Sequence, residues 1–421
     1  MIKTKILENG LKLIVDEMPA FESVAFNMLV HTGSANEDKS NYGISHFIEH
    51  MLFKGTKNRS AFDISKTFDT LGANVNAYTN FEETNFYVTS VAENTEKCVE
   101  VMADMLFNST FEKPLMENEK MVVIEEIKMY DDDPVSKASA ISNKAFYKGT
   151  PFERDIAGTI KNVKSITQKK IFDYLKKHYV PQNITLSFAG KISFEDALNL
   201  VEKYFMPYFI NVGVKTNNRF EKTKNVSFVK SYKDNSQSIV VISFPGLYQT
   251  DKEIHIAKIL NTALGVGMSS ILFQKVRFEK ALVYSISSSV FSNTAGGDIS
   301  IDFATSTKNV VSALEAVKDV IKNLLKNGIT KEQFLNAKAN VINSLKLAFE
   351  STSAVAQFNA SKFGKLSETV TKEQYIKQVD DVKFDDIQNF IKTHFVDDFY
   401  CVAVVGKDRR TDFKKHFSLN D

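Results

Sequence analysis

Apolar and polar positions follow two rhythms along this chain. Alternation marks strands near 4–16, 23–32, 74–80 and 83–91. A period near 3.6 marks helices near 42–54, 60–71, 93–108, 114–131, 135–146 and 167–178, followed by a strand near 183–190 and a helix near 193–205. The order then begins again. Strands are predicted near 225–231 and 237–244, helices near 252–264 and 269–279, strands near 283–292 and 296–305, long helices from 307 to 363, and a closing helix and strand. Lys177-His178-Tyr179-Val180 returns as Thr393-His394-Phe395-Val396, and Gly190-Lys191 returns as Gly406-Lys407, always displaced by 216 positions. Runs of strands and runs of helices in two copies predict an α+β fold of two homologous domains, each a mixed, mainly antiparallel sheet packed with helices. The expected boundaries are 1–210 for the first domain, a polar linker at 211–224, and 225–421 for the second.

Composition narrows the function classes. A chain of 421 residues is too long for one compact core, in keeping with two domains. Its 53 basic and 51 acidic residues leave a net charge of +2, which argues against a dedicated nucleic-acid binder. The two cysteines, Cys98 and Cys401, are far apart and outside any Cys-x-x-Cys pattern, so a disulfide framework is excluded and a cytoplasmic location is expected. The first ten residues read as a strand entering an Asn-Gly turn rather than a signal peptide, and no run of about 18 apolar residues marks a membrane span.

Chemistry concentrates between Tyr42 and Thr56. His46 and His50 are four apart, which on a helix places both imidazoles on one face, and Glu49 flanks that face. Two neutral imidazoles so spaced can bind Zn²⁺, and the carboxylate beside them can accept a proton from water at the metal. This is the order H-x-x-E-H. A catalytic zinc takes three protein ligands, so a third must come from elsewhere. The stretch Glu119 to Ile127 is the best source. Glu119 and Glu126 are seven apart and share a helical face, while Glu125 is turned about 100° from Glu126.

The stretch Gly43-Ile44-Ser45-His46-Phe47-Ile48-Glu49-His50-Met51-Leu52-Phe53-Lys54-Gly55-Thr56 closely resembles the metal helix of the pitrilysin-type (M16) zinc peptidases. It is most similar to the shorter branch that includes the mitochondrial processing peptidase β subunit and its bacterial relatives. The resemblance implies one zinc per chain on His46, His50 and Glu126, with Glu49 as general base and Glu119 supporting a ligand. Leu71 to Thr79 is similar to the family's substrate-pairing edge strand, with Asn76 and Ala77 in the matching places, and Phe53 matches an apolar pocket position. Arg277 and Tyr284, seven apart, resemble a pair that contacts substrate or the tetrahedral oxyanion. Read without the family, Arg277 would be a surface ion pair and Tyr284 a core aromatic.

The resemblance covers essentially the whole chain and departs at one point. Where the processing peptidase reads a basic residue with acidic side chains, the matching places are Ser136 and Ala140, so a presequence-like arginine preference is not expected. The second half holds no H-x-x-E-H; its corresponding helix runs Glu253-Ile254-His255-Ile256-Ala257. The expected function is zinc-dependent endopeptidase action on peptides or unfolded segments in a closed chamber. The expected assembly is a homodimer, with neither nucleic acid nor membrane as partner. The competing reading is a catalytically silent M16-like partner or scaffold subunit.

Overall fold

The computed structural model describes residues 1–209, 219–367 and 369–419. Of the expected linker, 211–218 lies outside the described residues. The chain forms two compact units, and neither is one continuous half. The first comprises Met1–Ile127 and the described parts of Asp155–Asn217 and Lys346–Lys372; the second comprises Lys128–Arg154 and the described parts of Asn218–Leu345 and Glu373–Asp421.

The first unit is built on β1 (Ile2–Ile6), β2 (Lys12–Glu17), β3 (Ser23–Val30), β4 (Asn74–Thr79), β5 (Thr84–Val91) and β6 (Ile184–Gly190), in the sheet order β1-β2-β6-β3-β5-β4. Only the β2–β6 pairing is parallel. Its core places Val24, Phe26, Met28 and Val30 of β3 against helices 44–52 and 95–108. Alternation turns Ala25, Asn27 and Leu29 to the other face, which the helix Thr352–Leu366 covers. That helix is tied at both ends. Ser23 Oγ lies 3.1 Å from Thr352 Oγ1, and the buried Lys12 ammonium donates to the carbonyls of Phe363 (3.2 Å) and Gly364 (2.7 Å). A cation on the last carbonyls also complements the helix dipole.

The second unit repeats the plan with β7 (Val226–Tyr232), β8 (Gln237–Pro245), β9 (Leu247–Tyr248), β10 (Ser285–Asn293), β11 (Asp298–Ser306) and β12 (Tyr400–Gly406), in the order β7-β12-β8-β11-β10-β9. β6 and β12 are displaced by 216 positions, as the repeat requires, and both are buried along their full length. Here the covering helix is Pro134–Phe146, capped by Asp133 on the Ser136 N–H at 2.8 Å, with Ser142 Oγ 3.0 Å from Ser243 Oγ.

The boundaries read from sequence therefore miss an exchange. Each sheet takes one covering helix from the other half of the chain. Amphipathic periodicity announces a buried face without saying which sheet will bury it. The stretch 307–363 also divides, into Val310–Asn327, Lys331–Ala348 and Thr352–Leu366. The exchanged helix 352–366 sits close on its sheet. A Cβ at Gly364 would lie 2.2 Å from two ring atoms of His31 and 2.8 Å from Thr185 Oγ1. Gly364→Ala is expected to destabilise the protein by about 1–3 kcal/mol through overpacking. The chain has no tryptophan, so an earlier urea midpoint in far-UV circular dichroism is the readout.

Candidate metal centre

The first unit holds the whole histidine cluster. Helix 44–52 forms because Ile44, Phe47, Ile48, Met51 and Leu52, none more than 1% exposed, make one continuous apolar face. The Glu37 carboxylate closes its start, accepting from Gly43 N and Ser45 N at 2.8 Å each. Gly43 has φ 87°, and a Cβ there would lie 2.3 Å from the Ala157 carbonyl oxygen, so the turn into the helix requires glycine. With the apolar face fixed inward, His46, Glu49 and His50 are left on the remaining side.

Helix Lys113–Asp132 brings the glutamates. Glu126 Oε2 stands 3.7 Å from His46 Nε2 and 3.6 Å from His50 Nε2. These separations are too long for hydrogen bonds. They are close to the roughly 3.3–3.4 Å between two ligands held 2.0–2.1 Å from one tetrahedral zinc. One donor atom from each of the three side chains lies within 4.8 Å of the others, and no other three-residue group of metal-donor side chains does so among the described residues. Two imidazoles and one carboxylate form the donor set of a catalytic zinc with an open position. The residues present fit the ion.

The surroundings sort the roles. Burial, then the neighbouring His50, push the His46 pKa down to about 4, so its imidazole is neutral at physiological pH. His50 Nδ1 pairs with Glu119 Oε1 at 2.8 Å, which turns Nε2 toward Glu126. Burial pulls the His50 pKa down, but the Glu119 hydrogen bond and the charges of Glu119, Glu126 and Glu49 carry it above its ordinary value. Glu119 is itself buried, which raises its pKa. Hydrogen bonds from His50 and Lys54 outweigh that and hold the carboxyl below the usual range. Burial raises the Glu49 pKa above the ordinary carboxylate value against the opposing Thr79 hydrogen bond. Thr79 Oγ1 donates to Glu49 Oε2 at 2.6 Å.

Two family models match this chain. The one described as Insulinase (Peptidase family M16) matches residues 13–160, and the one described as Peptidase M16 inactive domain matches residues 165–341. The Uncharacterized zinc protease YmxG of Bacillus subtilis is 32% identical over 407 residues, 96% of this chain and 98% of that protein. The chain belongs to the M16 peptidase family. A protease from Helicobacter pylori shares its fold with a TM-score of 0.90 at 21% identity, covering 96% of this chain and 99% of that one. A peptidase M16 inactive domain from Pseudomonas fluorescens matches with a TM-score of 0.90 at 18% identity, covering 98% and 99%.

In this M16 chain every donor of the cluster falls within the first match. Asn76 and Ala77 lie on β4, at the edge of the first sheet, paired on one side with Tyr87 and Phe86 of β5. The Ala77 N–H is held by Asn76 Oδ1 at 2.8 Å, so a peptide carbonyl joining that edge must displace the amide. Phe53 follows the metal helix and packs half-buried with its ring 6.3 Å from Phe86. Arg277 and Tyr284 belong to the second unit. The helix expected near 269–279 is a π-helical turn at Phe273–Glu279, which keeps Leu272 and Val276 buried and leaves Arg277 and Phe278 exposed. The Arg277 guanidinium lies 4.6 Å over the Phe273 ring, and Tyr284 is 71% exposed, so it is no core aromatic. Ser136 and Ala140 sit on helix 134–146 of the second unit. His255, the histidine of the corresponding second-half helix, pairs with Gln378 Oε1 at 3.1 Å.

Thr79 and Lys54 also belong to the site, through Glu49 and Glu119, and the H-x-x-E-H spacing does not point to either. Lys54 comes four residues after His50, a spacing that points at the same flank. Thr79 lies two residues beyond Ala77, on the same strand face.

Proposed function

We propose that this chain is a zinc metalloendopeptidase that cleaves extended peptides or unfolded segments, with Glu49 as general base. The observation that carries the reading is the convergence of His46, His50 and Glu126 beside Glu49, which shares the helix of the two histidines. Zinc held there would supply Lewis acidity, polarising the scissile carbonyl and acidifying water. Glu49 takes a proton from the attacking water as the C–O bond forms, then gives it to the departing amide nitrogen as the C–N bond breaks. Thr79 holds Oε2 of that carboxylate, and Oε1 is the oxygen this reading assigns to the proton of the attacking water. The free edge of β4 suits backbone pairing with an extended substrate, which selects for unfolded chain rather than for particular side chains. Phe53, at the end of the metal helix and packed against Phe86, is the apolar surface this reading offers to a substrate side chain.

Arg277 and Tyr284 are the exposed donors this reading assigns to the developing oxyanion. A second copy of the chain is the partner it expects, and a catalytically active monomer in light scattering would remove that part. No helix among the described residues is long and apolar enough to cross a membrane. Both cysteines are free and buried, which fits a reducing cytoplasm.

The test is digestion of a peptide library by the zinc-loaded protein, read by mass spectrometry with and without chelator. Chelator-sensitive cleavage supports the enzyme. A protein that binds zinc and cleaves nothing is the silent M16-like partner. Thr79→Val removes a hydrogen bond to a charged group, worth about 1.5–3 kcal/mol. It is expected to lower kcat roughly 10- to 100-fold. Thr79→Ser should restore the rate, and zinc content should be unchanged in both.

A further inference from the structure

We infer that Lys54 is a positioning residue of the metal centre, which locks Glu119 onto His50 and so leaves Glu126 as the carboxylate facing both imidazole Nε2 atoms. The inference rests on reading this cluster as a zinc site. Helix 113–132 presents two carboxylates toward His50, from Glu119 and Glu126. Both have the chemistry of a metal ligand, so something must decide between them. Glu119 has each oxygen engaged: Oε1 with His50 Nδ1 at 2.8 Å and Oε2 with Lys54 Nζ at 2.7 Å. Glu126 has one oxygen aimed between the two Nε2 atoms.

The placement of Lys54 follows from the local chain. Its N–H donates to the Met51 carbonyl at 3.0 Å, continuing the turn that ends helix 44–52, so its side chain rises beside His50 one turn away. The Lys54 side chain is 36% exposed, while that of Glu119 is 7% exposed. The ammonium therefore keeps part of its hydration as it neutralises a buried carboxylate. Removing one partner of such a pair leaves the other charge uncompensated. Without Lys54, Glu119 would hold a single hydrogen bond and be free to rotate away from His50. The imidazole would then lose the partner that fixes its ring and tautomer. Among the described residues, none is placed to hydrogen-bond the buried Nδ1 of His46 as Glu119 does that of His50. His50 is therefore the ligand through which an outer residue can act.

The experiment uses the full chain with zinc and with cobalt. Zinc affinity is measured by competition with a chromophoric chelator, and ligand geometry by the visible bands of the Co²⁺-substituted protein. Lys54→Met, which keeps the stem and removes the charge, is expected to weaken zinc binding about 10- to 100-fold and to shift the cobalt bands. Lys54→Arg should bind close to the parent. In an E119Q background, Lys54→Met should cost nothing further, because Lys54 acts through Glu119. Lys54→Gln carries the same comparison if the methionine variant does not fold. Unchanged zinc affinity in the charge-removing variant, or an equal loss in the E119Q background, overturns the role of Lys54. A parent chain that binds no zinc overturns instead the reading of the site itself.

Discussion

Glu49→Gln is expected to bind zinc like the parent and to lose peptide hydrolysis by about 10²–10⁴-fold, the span ascribed to one general acid–base group. The amide has nearly the same shape, and Thr79 can still hydrogen-bond to its carbonyl oxygen. What disappears is the ability to take a proton from water and return it to the leaving nitrogen. Glu49 is not one of the three residues whose donor atoms converge, so the ion should stay. Zinc per chain and kcat on a quenched fluorescent peptide are the two measurements. A variant that cleaves as fast as the parent would sink Glu49 as base, and one that loses zinc would make it a ligand.

Glu126→Gln separates binding from chemistry in the other direction. It removes the charge that faces both Nε2 atoms at 3.6 and 3.7 Å. Two imidazoles remain, which is one anionic donor short of the set a catalytic zinc takes. Zinc affinity is expected to fall by more than the roughly 100-fold that marks loss of an outer partner. Hydrolysis should vanish at micromolar zinc and return in part when zinc is raised. If the variant keeps zinc through dialysis, the third ligand is another residue.

The two expected results rest on geometry of different legibility. His46, Glu49 and His50 lie within one helical turn and a half, so their common flank follows from helix periodicity alone. Glu119 and Glu126 could be paired on a face by the same rule. Choosing Glu126 over Glu119 as ligand needed a family resemblance, because nothing within helix 113–132 tells which end of a face meets His50. In the structure Glu126 Oε2 lies 3.6 and 3.7 Å from the two Nε2 atoms, while Glu119 Oε1 lies 2.8 Å from His50 Nδ1. The edge position of β4 was likewise expected only from the family, since strand order depends on pairings between residues far apart in the chain.

Arg277 and Tyr284 show the opposite case. Their spacing was readable, but exposure was not. Tyr284, read alone, belonged in a core, and the turn before β10 leaves it in solvent. The π-helical turn that carries Arg277 has no signature in periodicity, because a widened turn still returns apolar residues to one side.

The sequence by itself determined the repeated strand and helix plan, the helical flank that bears the histidines, and the half of the chain that carries the H-x-x-E-H motif. These follow from local periods and from a displacement of 216 positions that brings Ile184–Gly190 onto Tyr400–Gly406. Only the tertiary structure decided that helices 134–146 and 352–366 change units, that Lys54 locks Glu119, and that Thr79 holds Glu49. The physical reason is the same in each case. A periodic pattern specifies that a face must be buried or a charge paired. The partner is chosen by packing between segments that the order of residues leaves tens or hundreds of positions apart.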